Sequence, residues 1–527
     1  MGDVSEIVIL ATTDFHGWIE PAKSGEPDVM LGGLVRLGAA ERAERARIEA
    51  SEESRPWPRG VLLVDSGDMW TGPALSTLLK GAPVVEAFNA LHYDAVALGN
   101  HEFDFGRERL KVNARAQHFP ILSANVEGED GAGLDFVRAS TVIERAGRRI
   151  GIIGLSTIQT PQTTFPKYVK GLRFNPYIPA VRREAAALLD AGADFLIVIA
   201  HVPLEDLIEV AEATADLPIR VFLGGHNHKE ETLVLNRDPD TLADDVILLT
   251  AGRFGRTLGR IRLRFEADEL IAYTYRLIPI RERVPPASGV SASAGIPREA
   301  RGEAKEEEAP ARGHGTAGAD GLDDLRGIIE RAHADAGPTL DEVVAVLKAD
   351  CPVGARERSA LGEVIARSWL LAFPDVDVAM TNHGGIRQDL HAGPVTYADI
   401  LGVLPFDNHL VEMKLTGAQI RRVLEAGDRL HVAGLRYRVA IVDGRRRITH
   451  LVDDEGKPIE EDRTYRVMTT DFLYTGGDHM SFAELDPHAR FLDVHMRDPF
   501  LKWLRAQPRA GAEIPPARAL EGVDSVD

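Results

Sequence analysis

Residues 94–104 read DAVALGNHEFD. The apolar run DAVAL has strand character, stops at Gly99, and delivers the chain directly to Asn100, His101, Glu102 and, after Phe103, Asp104. In open α/β sheets the carboxyl ends of strands open onto a shared crevice, so a strand that ends on titratable side chains marks a ligand site. The same arrangement recurs on either side. IVILA at 7–11 leads into Asp14-Phe15-His16-Gly17, and VLLV at 61–64 leads into Asp68. FLIVIA at 195–200 meets His201, and RVFLG at 220–224 leads into His226-Asn227-His228. With RIGIIGL at 149–155, DVILL at 245–249 and the helical spacing of VRREAAALLDAGA at 181–193, these runs predict a layered α/β fold. Val-, Ile- and Leu-rich strands that alternate with helices belong to sheets covered on both faces.

Five strand ends that all carry Asp, His or Asn are expected to converge on one face. A lone histidine after a strand is commonly a packed or solvent-facing side chain; five in strand order point to a dinuclear metal site. The donors are Asp, His and Asn without Cys, which suits hard-to-borderline divalent ions such as Mn²⁺, Zn²⁺, Fe²⁺ or Co²⁺. Glycines at 17, 67, 99, 224 and 225 let the backbone turn beside these donors.

The chain has 527 residues, enough for two or three domains. Its formal net charge of −20 argues against a partner that is a nucleic acid polymer, since binding one draws on excess Lys and Arg. A single cysteine, Cys351, excludes an internal disulfide and any Cys-based metal site. No apolar run approaches the ~18 residues of a membrane span, so no membrane partner is expected. The opening MGDVSEIVIL has neither a basic leader nor a long apolar core, and a cytoplasmic place is expected from it. Residues 281–320 are rich in Pro, Gly, Ala, Ser and charge, with almost no large apolar side chain, and read as a flexible linker. Beyond them VDVAM, HLVEMKL, RYRVAI and TYRVMTT mix with helical SALGEVIARSWLLAF and TGAQIRRVLEAG, a second α/β unit. The expected division is 1–280, linker 281–320, second domain 321–507 and a loose tail 508–527.

The ordered set D-x-H, GD, GNHE, lone His and GHxH resembles the calcineurin-like metallophosphoesterases. The fuller GNHEFD, followed by NHGGIR, LPFDN and FLYTGGD, resembles the 5′-nucleotidase family over nearly the whole chain. The resemblance implies an α/β/β/α sandwich for the first domain and a mixed α/β substrate-binding domain for the second. It implies one metal held by Asp14, His16, Asp68 and His228, and another by Asp68, Asn100, His201 and His226, with Asp68 bridging. Water on such a pair becomes hydroxide near neutral pH because two cations stabilise its charge. His101 would stabilise the transferring phosphoryl group or protonate the leaving oxygen, and Asp104 would orient it. Asp104 can also be read as the N-cap of the following helix.

In the second domain, the resemblance places Arg387 on phosphate, with Gly385 in the same NHGGIR turn. Arg356 and Arg358 of RERS are further candidates, although their spacing does not align cleanly with the family's upstream arginines. Phe406 and Phe472 would sandwich the base, Asn382 and Asn408 would contact base or ribose, and Asp478 would accept from ribose hydroxyls. The chain departs from the family pattern at His383 and Asp407, where a small residue and Gly are usual, and in its longer, more polar linker. The implied activity is hydrolysis of nucleoside 5′-monophosphates, with di- and triphosphates and nucleotide sugars as further candidate substrates. Rival readings are a 2′,3′-cyclic-nucleotide phosphodiesterase with 3′-nucleotidase activity, a sulfur-compound hydrolase, and a non-catalytic nucleotide sensor, which would need a broken donor set.

Overall fold

The computed structural model describes residues 4–52 apart from 25 and 27, then 57–236, 241–242, 245–283, 320–354, 359–427, 430–480, 482–507 and 524–525. Most of the expected linker and tail therefore lies outside the described residues. At the linker's near end Arg281–Arg283 forms a strand against Val29–Leu31, and at its far end Asp320 opens a helix.

Every strand expected before the linker forms, and they sort into two six-stranded sheets. The first runs in the order Glu269–Pro279, Thr257–Glu266, Val4–Thr12, Arg59–Asp65, Ala95–Ala97, Ile121–Leu122. The second runs Glu230–Leu235, Val246–Ala251, Ile219–Gly224, Phe195–His201, Arg148–Ser156, Ser140–Arg145. Val4–Thr12, Arg59–Asp65 and Ala95–Ala97 are parallel neighbours, as are Arg148–Ser156, Phe195–His201 and Ile219–Gly224. All of these strands therefore deliver their carboxyl ends to one side. Alternate residues split between layers: Ile7, Ile9, Leu62 and Val64 meet Ile152, Ile197 and Val221 between the sheets. Val8, Leu10, Leu63 and Val96 face the outer helices on one side, and Val198 with Phe222 faces Val181 and Leu207 on the other. This is the layered α/β fold that the alternation of apolar strands and helices predicts, in the α/β/β/α order that the resemblance implied.

The second unit is built on a five-stranded sheet ordered Leu430–Ala433, Val378–Asn382, Thr464–Thr470, His409–Thr416, Arg490–His495. Helix Ala360–Ala372 covers one face with Trp369 fully buried, and helix Gly417–Ala426 covers the other with Ile420 and Leu424. Both start on the side-chain caps their sequences carry: Ser359 Oγ accepts from Gly362 N, and Thr416 with Gln419 forms a capping box. Each such cap stabilises its helix by about 1 kcal/mol.

One helix sits apart from the unit in which its sequence places it. Asp320–Ala336 buries Leu325, Ile328 and Ala332 among Leu37, Val84, Phe88 and Leu91 of the first domain. The two units also meet where Leu401, on helix Tyr397–Val403, enters that same apolar cluster.

Candidate metal centre and interdomain cleft

The turns after the strands carry an unusual backbone. Asp14, His16, Asp68, His226 and His228 hold φ of 50°, 49°, 59°, 74° and 61°, in the left-handed region that side chains with a Cβ rarely occupy. Such conformations cost on the order of 1–3 kcal/mol each and persist only where the surroundings over-determine them. The surroundings here are Glu102 and a set of loop contacts. Glu102 is fully buried; its Oε2 accepts from Asp68 N at 2.9 Å and Gly99 N at 2.8 Å, and its Oε1 accepts from Met69 N at 2.7 Å. Burial, then the Asp68 charge, pushes the Glu102 pKa up to about 8, against those backbone donors. Asp14 N bonds Gly67 O, His16 N bonds Asp68 O, and His226 N donates to Asp14 Oδ2 at 3.1 Å. A Cβ at residue 99 would fall 2.2 Å from Asp68 Oδ1, so only glycine lets the Asn100 turn approach Asp68 this closely.

The result is two groups of donors, Asp14 with His16 and His228, and Asp68 with His201 and His226. Within each, the ligand atoms lie within 4.8 Å of one another. Asp68 Oδ2 is 2.9 Å from His201 Nε2 and 3.7 Å from His16 Nε2, so this carboxylate faces both groups. Asn100 Oδ1 lies 3.1 Å from His226 Nδ1, which adds the amide oxygen to the second group. The backbone sets the imidazole orientation. His16 Nδ1 lies 2.8 Å from Thr71 O and His201 Nδ1 lies 2.9 Å from Ser66 O, so each ring donates outward and turns Nε2 inward as a donor atom. Asp14 Oδ1 is buried without a hydrogen-bond partner. Hard oxygen and imidazole donors, one of them a buried and otherwise unsatisfied carboxylate oxygen, fit divalent cations.

Electrostatics follow from this packing. Burial opposes ionisation of Asp14, but the neighbouring His228 overcomes it and holds the carboxyl well below its usual range. Burial also disfavours the His201 cation, yet the Asp68 charge and hydrogen bond push its pKa up to about 10. His226 is held neutral to about 3 by burial and then by the charge on His201. His101 is raised: burial works against the cation, but Asp104 and then Asp68 outweigh it.

His101 Nδ1 is 2.7 Å from Asp104 Oδ2, and Asp104 Oδ1 accepts from Thr164 Oγ1 at 3.0 Å. The following helix, Arg107–Ala116, takes Gly106 as its N-cap, so Asp104 is engaged with His101 and Thr164 instead.

Of the candidate donors, Asp68, Asn100, His226 and His228 line a cleft of about 1310 Å³ between the two units. From the second unit, Arg387 Nη2 donates to His16 Nε2 at 3.1 Å. Phe406 stacks on His101, with centroids 5.6 Å apart and planes at 23°, and Arg387 lies 5.9 Å over the Phe406 ring. Asn382, Gly385, Asn408, Phe472 and Asp478 line the same cleft. Asn382 Nδ2 donates to Asp478 Oδ2 at 2.7 Å, and the Phe472 ring lies where any Cβ at 477 would fall 2.5 Å from it. Arg356 and Arg358 lie outside the described residues. Three features were missed in the sequence: the pinning carboxylate Glu102, the Thr164 hydroxyl, and the first-domain rings Phe165 and Tyr168, which also line the cleft. Glu102 alone had a visible signal, since it sits inside the GNHEFD stretch.

Residues 339–484 match the family model of the 5′-nucleotidase C-terminal domain. The chain is 26% identical over 525 residues to a 5′-nucleotidase of Vibrio cholerae, covering 94% of this chain and 88% of that one. It is 26% identical over 506 residues to protein UshA of Yersinia enterocolitica, covering 90% and 86%. Among solved structures it shares its fold with a 5′-nucleotidase precursor from Thermus thermophilus, at a TM-score of 0.77 and 23% identity over 95% of this chain and 96% of that one. The Thermus protein is named as a precursor, and this tells against the expected cytoplasmic place, which is withdrawn. The expectation failed because it rested on ten N-terminal residues, MGDVSEIVIL, whose composition alone does not decide where a chain goes. No described helix is long and apolar enough to cross a membrane.

Proposed function

We propose that this chain, whose C-terminal domain is that of the 5′-nucleotidases, is a metal-dependent hydrolase that removes phosphate from nucleoside 5′-monophosphates. The observation that carries it is the meeting of the two units over the donor cluster, with Arg387 on His16 and Phe406 on His101. A ligand reaching from the donors to the aromatic wall must be anionic at one end and flat at the other, as a nucleotide is.

In this reading Asp14, His16, Asp68 and His228 hold one divalent cation and Asp68, Asn100, His201 and His226 hold another, of the Mn, Zn, Fe or Co class. Such a pair supplies Lewis acidity toward the phosphoryl oxygens and lowers the pKa of water enough to give a nucleophile near neutral pH. The chain's own residues do the rest. Arg387 presents a fork to the phosphate oxygens. His101, kept protonated by Asp104, delivers its proton to the leaving ribose oxygen. Phe406 and Phe472 take the base by stacking, which asks little of base identity. Asn382 and Asn408 contact base or ribose, and Asp478 accepts from ribose hydroxyls while its other bond holds Asn382 in place. Residues 1–280 thus supply the metal donors and the proton donor, and 321–507 supply Arg387 to the phosphate and the pocket to the nucleoside, an arrangement that requires both units in contact.

The purified chain with Mn²⁺ is to be assayed on AMP, UMP, ADP, bis-p-nitrophenyl phosphate and 2′,3′-cyclic AMP. Monophosphates are expected to lead. Turnover of the diester or cyclic substrate tenfold above AMP would replace this reading with a cyclic-nucleotide phosphodiesterase.

A further inference from the structure

Beyond His228, the first-domain wall of the cleft carries two arginines with no part in the chemistry above. The chain leaves strand Val246–Ala251 through Gly252 and turns over Arg253-Phe254-Gly255-Arg256 into Thr257–Glu266. Phe254, at a φ of 62°, bonds Asp14 O through its N–H at 2.7 Å and stacks on Trp18 with centroids 5.0 Å apart and planes at 29°. Arg256 lies 5.6 Å over Trp18 and 5.1 Å over Phe254, and Arg253 lies 4.9 Å over Phe254. Arg253 Nη1 is 3.4 Å from His228 Nδ1, and all four side chains line the same cleft. The ledge is thus tied to the metal-binding turn and opens beside it.

These cations lack a counter-charge. Neither arginine pairs with a carboxylate among the described residues, and Arg256 Nε is buried without a hydrogen-bond partner. Burial, then the adjacent Arg253, destabilises the Arg256 cation, and Asp389 of the second unit only partly offsets this. Asp389 Oδ1 already accepts from Val353 N at 2.7 Å. A chain of net charge −20 has many carboxylates to spend on two arginines, yet leaves both uncompensated in the cleft where it would bind an anion.

We propose that Arg253 and Arg256, on the ledge of Trp18 and Phe254, form a second anion subsite that holds a phosphoryl group other than the one on the metal donors. The inference rests on the nucleotide reading above and names its substrate class: nucleotides with a phosphoanhydride, such as nucleoside diphosphates, triphosphates and nucleotide sugars. The guanidinium forks match the paired oxygens of such a phosphate, and the aromatic faces keep both forks aimed into the cleft.

The test compares wild type with R253A/R256A and R253K/R256K, all full-length and loaded with Mn²⁺. Wild type is to be assayed on AMP, ADP and UDP-glucose. In the Ala pair, kcat/KM for ADP and UDP-glucose is expected to fall about a hundredfold, roughly tenfold per guanidinium, and the AMP value at least tenfold less. The Lys pair keeps the charge and the stem packing but not the fork, so a smaller loss in the same sense is expected, and it carries the test if the Ala pair fails to fold. Loss on UDP-glucose without loss on ADP would assign the ledge to the sugar and overturn the anion subsite. As a second readout, calorimetry of inorganic tripolyphosphate with chelator-treated protein is expected to show Kd raised tenfold or more in the variants. Equal losses on AMP and ADP, or unchanged tripolyphosphate binding, would overturn the inference. A wild type that binds tripolyphosphate through these arginines but hydrolyses no nucleotide keeps the subsite and removes the nucleotidase reading.

Discussion

The metal-binding turns and the aromatic pocket face each other across one cleft, yet they are built on opposite principles. Asp14, His16 and Asp68 are at most 1% exposed, and their strained turns are clamped by buried backbone bonds and by Glu102. Phe406 and Arg387 are only partly buried: they are rooted in the second unit, Phe406 against its core and Arg387 N on Val403 O, and reach across to His101 and His16. Pre-paid strain holds the two donor groups in fixed positions, as the proposed cations would require. A half-open wall suits ligands that enter, turn over and leave. The chemistry should therefore be unforgiving of change and the recognition graded.

Asp68→Asn tests the rigid side most severely, because this carboxylate faces both donor groups. AMP turnover is expected to fall about a thousandfold or more, a loss of several kcal/mol of charge stabilisation, while nucleotide binding persists. Steady-state assay beside equilibrium binding checks both; unchanged turnover would remove the proposed mechanism. On the graded side, Phe406→Ala or Phe472→Ala should raise KM for AMP roughly five- to a hundredfold, since stacking is worth ~1–3 kcal/mol per base. p-Nitrophenyl phosphate should lose far less. Equal loss on both substrates would mean these rings are packing and not a base clamp.

The two sides differed in how far they could be read from sequence for a related reason. Donors at strand ends announce themselves because the parallel register delivers every carboxyl end to one edge, and Asp14, Asp68, His201 and His226 fell where that rule puts them. Glu102 escaped because two of its three partners, Asp68 N and Met69 N, are more than thirty residues away, and backbone donors carry no side-chain signature. The helix Asp320–Ala336 had a legible apolar face, but periodicity states that a face is buried and not which domain buries it. The hairpin Thr257–Glu266 with Glu269–Pro279 escaped as well, although its half-buried alternation is an antiparallel edge pattern.

Smaller effects sharpen the contrast within the acid–base pair. His101 owes its raised pKa to Asp104, acting against burial, so its acid form persists to higher pH than that of a free imidazole. Asp104→Asn should therefore move the descending alkaline limb of the kcat profile for AMP to lower pH, with a loss of about tenfold or more at pH 8. A limb that stays in place would detach Asp104 from His101 function. Thr164→Val removes one neutral hydrogen bond to Asp104 and should cost roughly two- to tenfold in kcat, with a shift of the same sign. A shift of the opposite sign would show that Thr164 restrains Asp104 rather than supporting it.

The helix Asp320–Ala336 has a consequence for what holds the two units together. Leu325, Ile328 and Ala332 are sunk in the first domain, and beyond Gly337, with φ 80°, Leu340 is buried in the same cluster. The peptide bonds between 283 and 320 are therefore not the sole tether. A nick there would leave two fragments joined by a buried plug, and their affinity, not covalent continuity, would set the effective concentration of one unit at the other. Any swivelling of the second unit about this tether has, in turn, to draw Leu340 and Leu401 out of the same cluster.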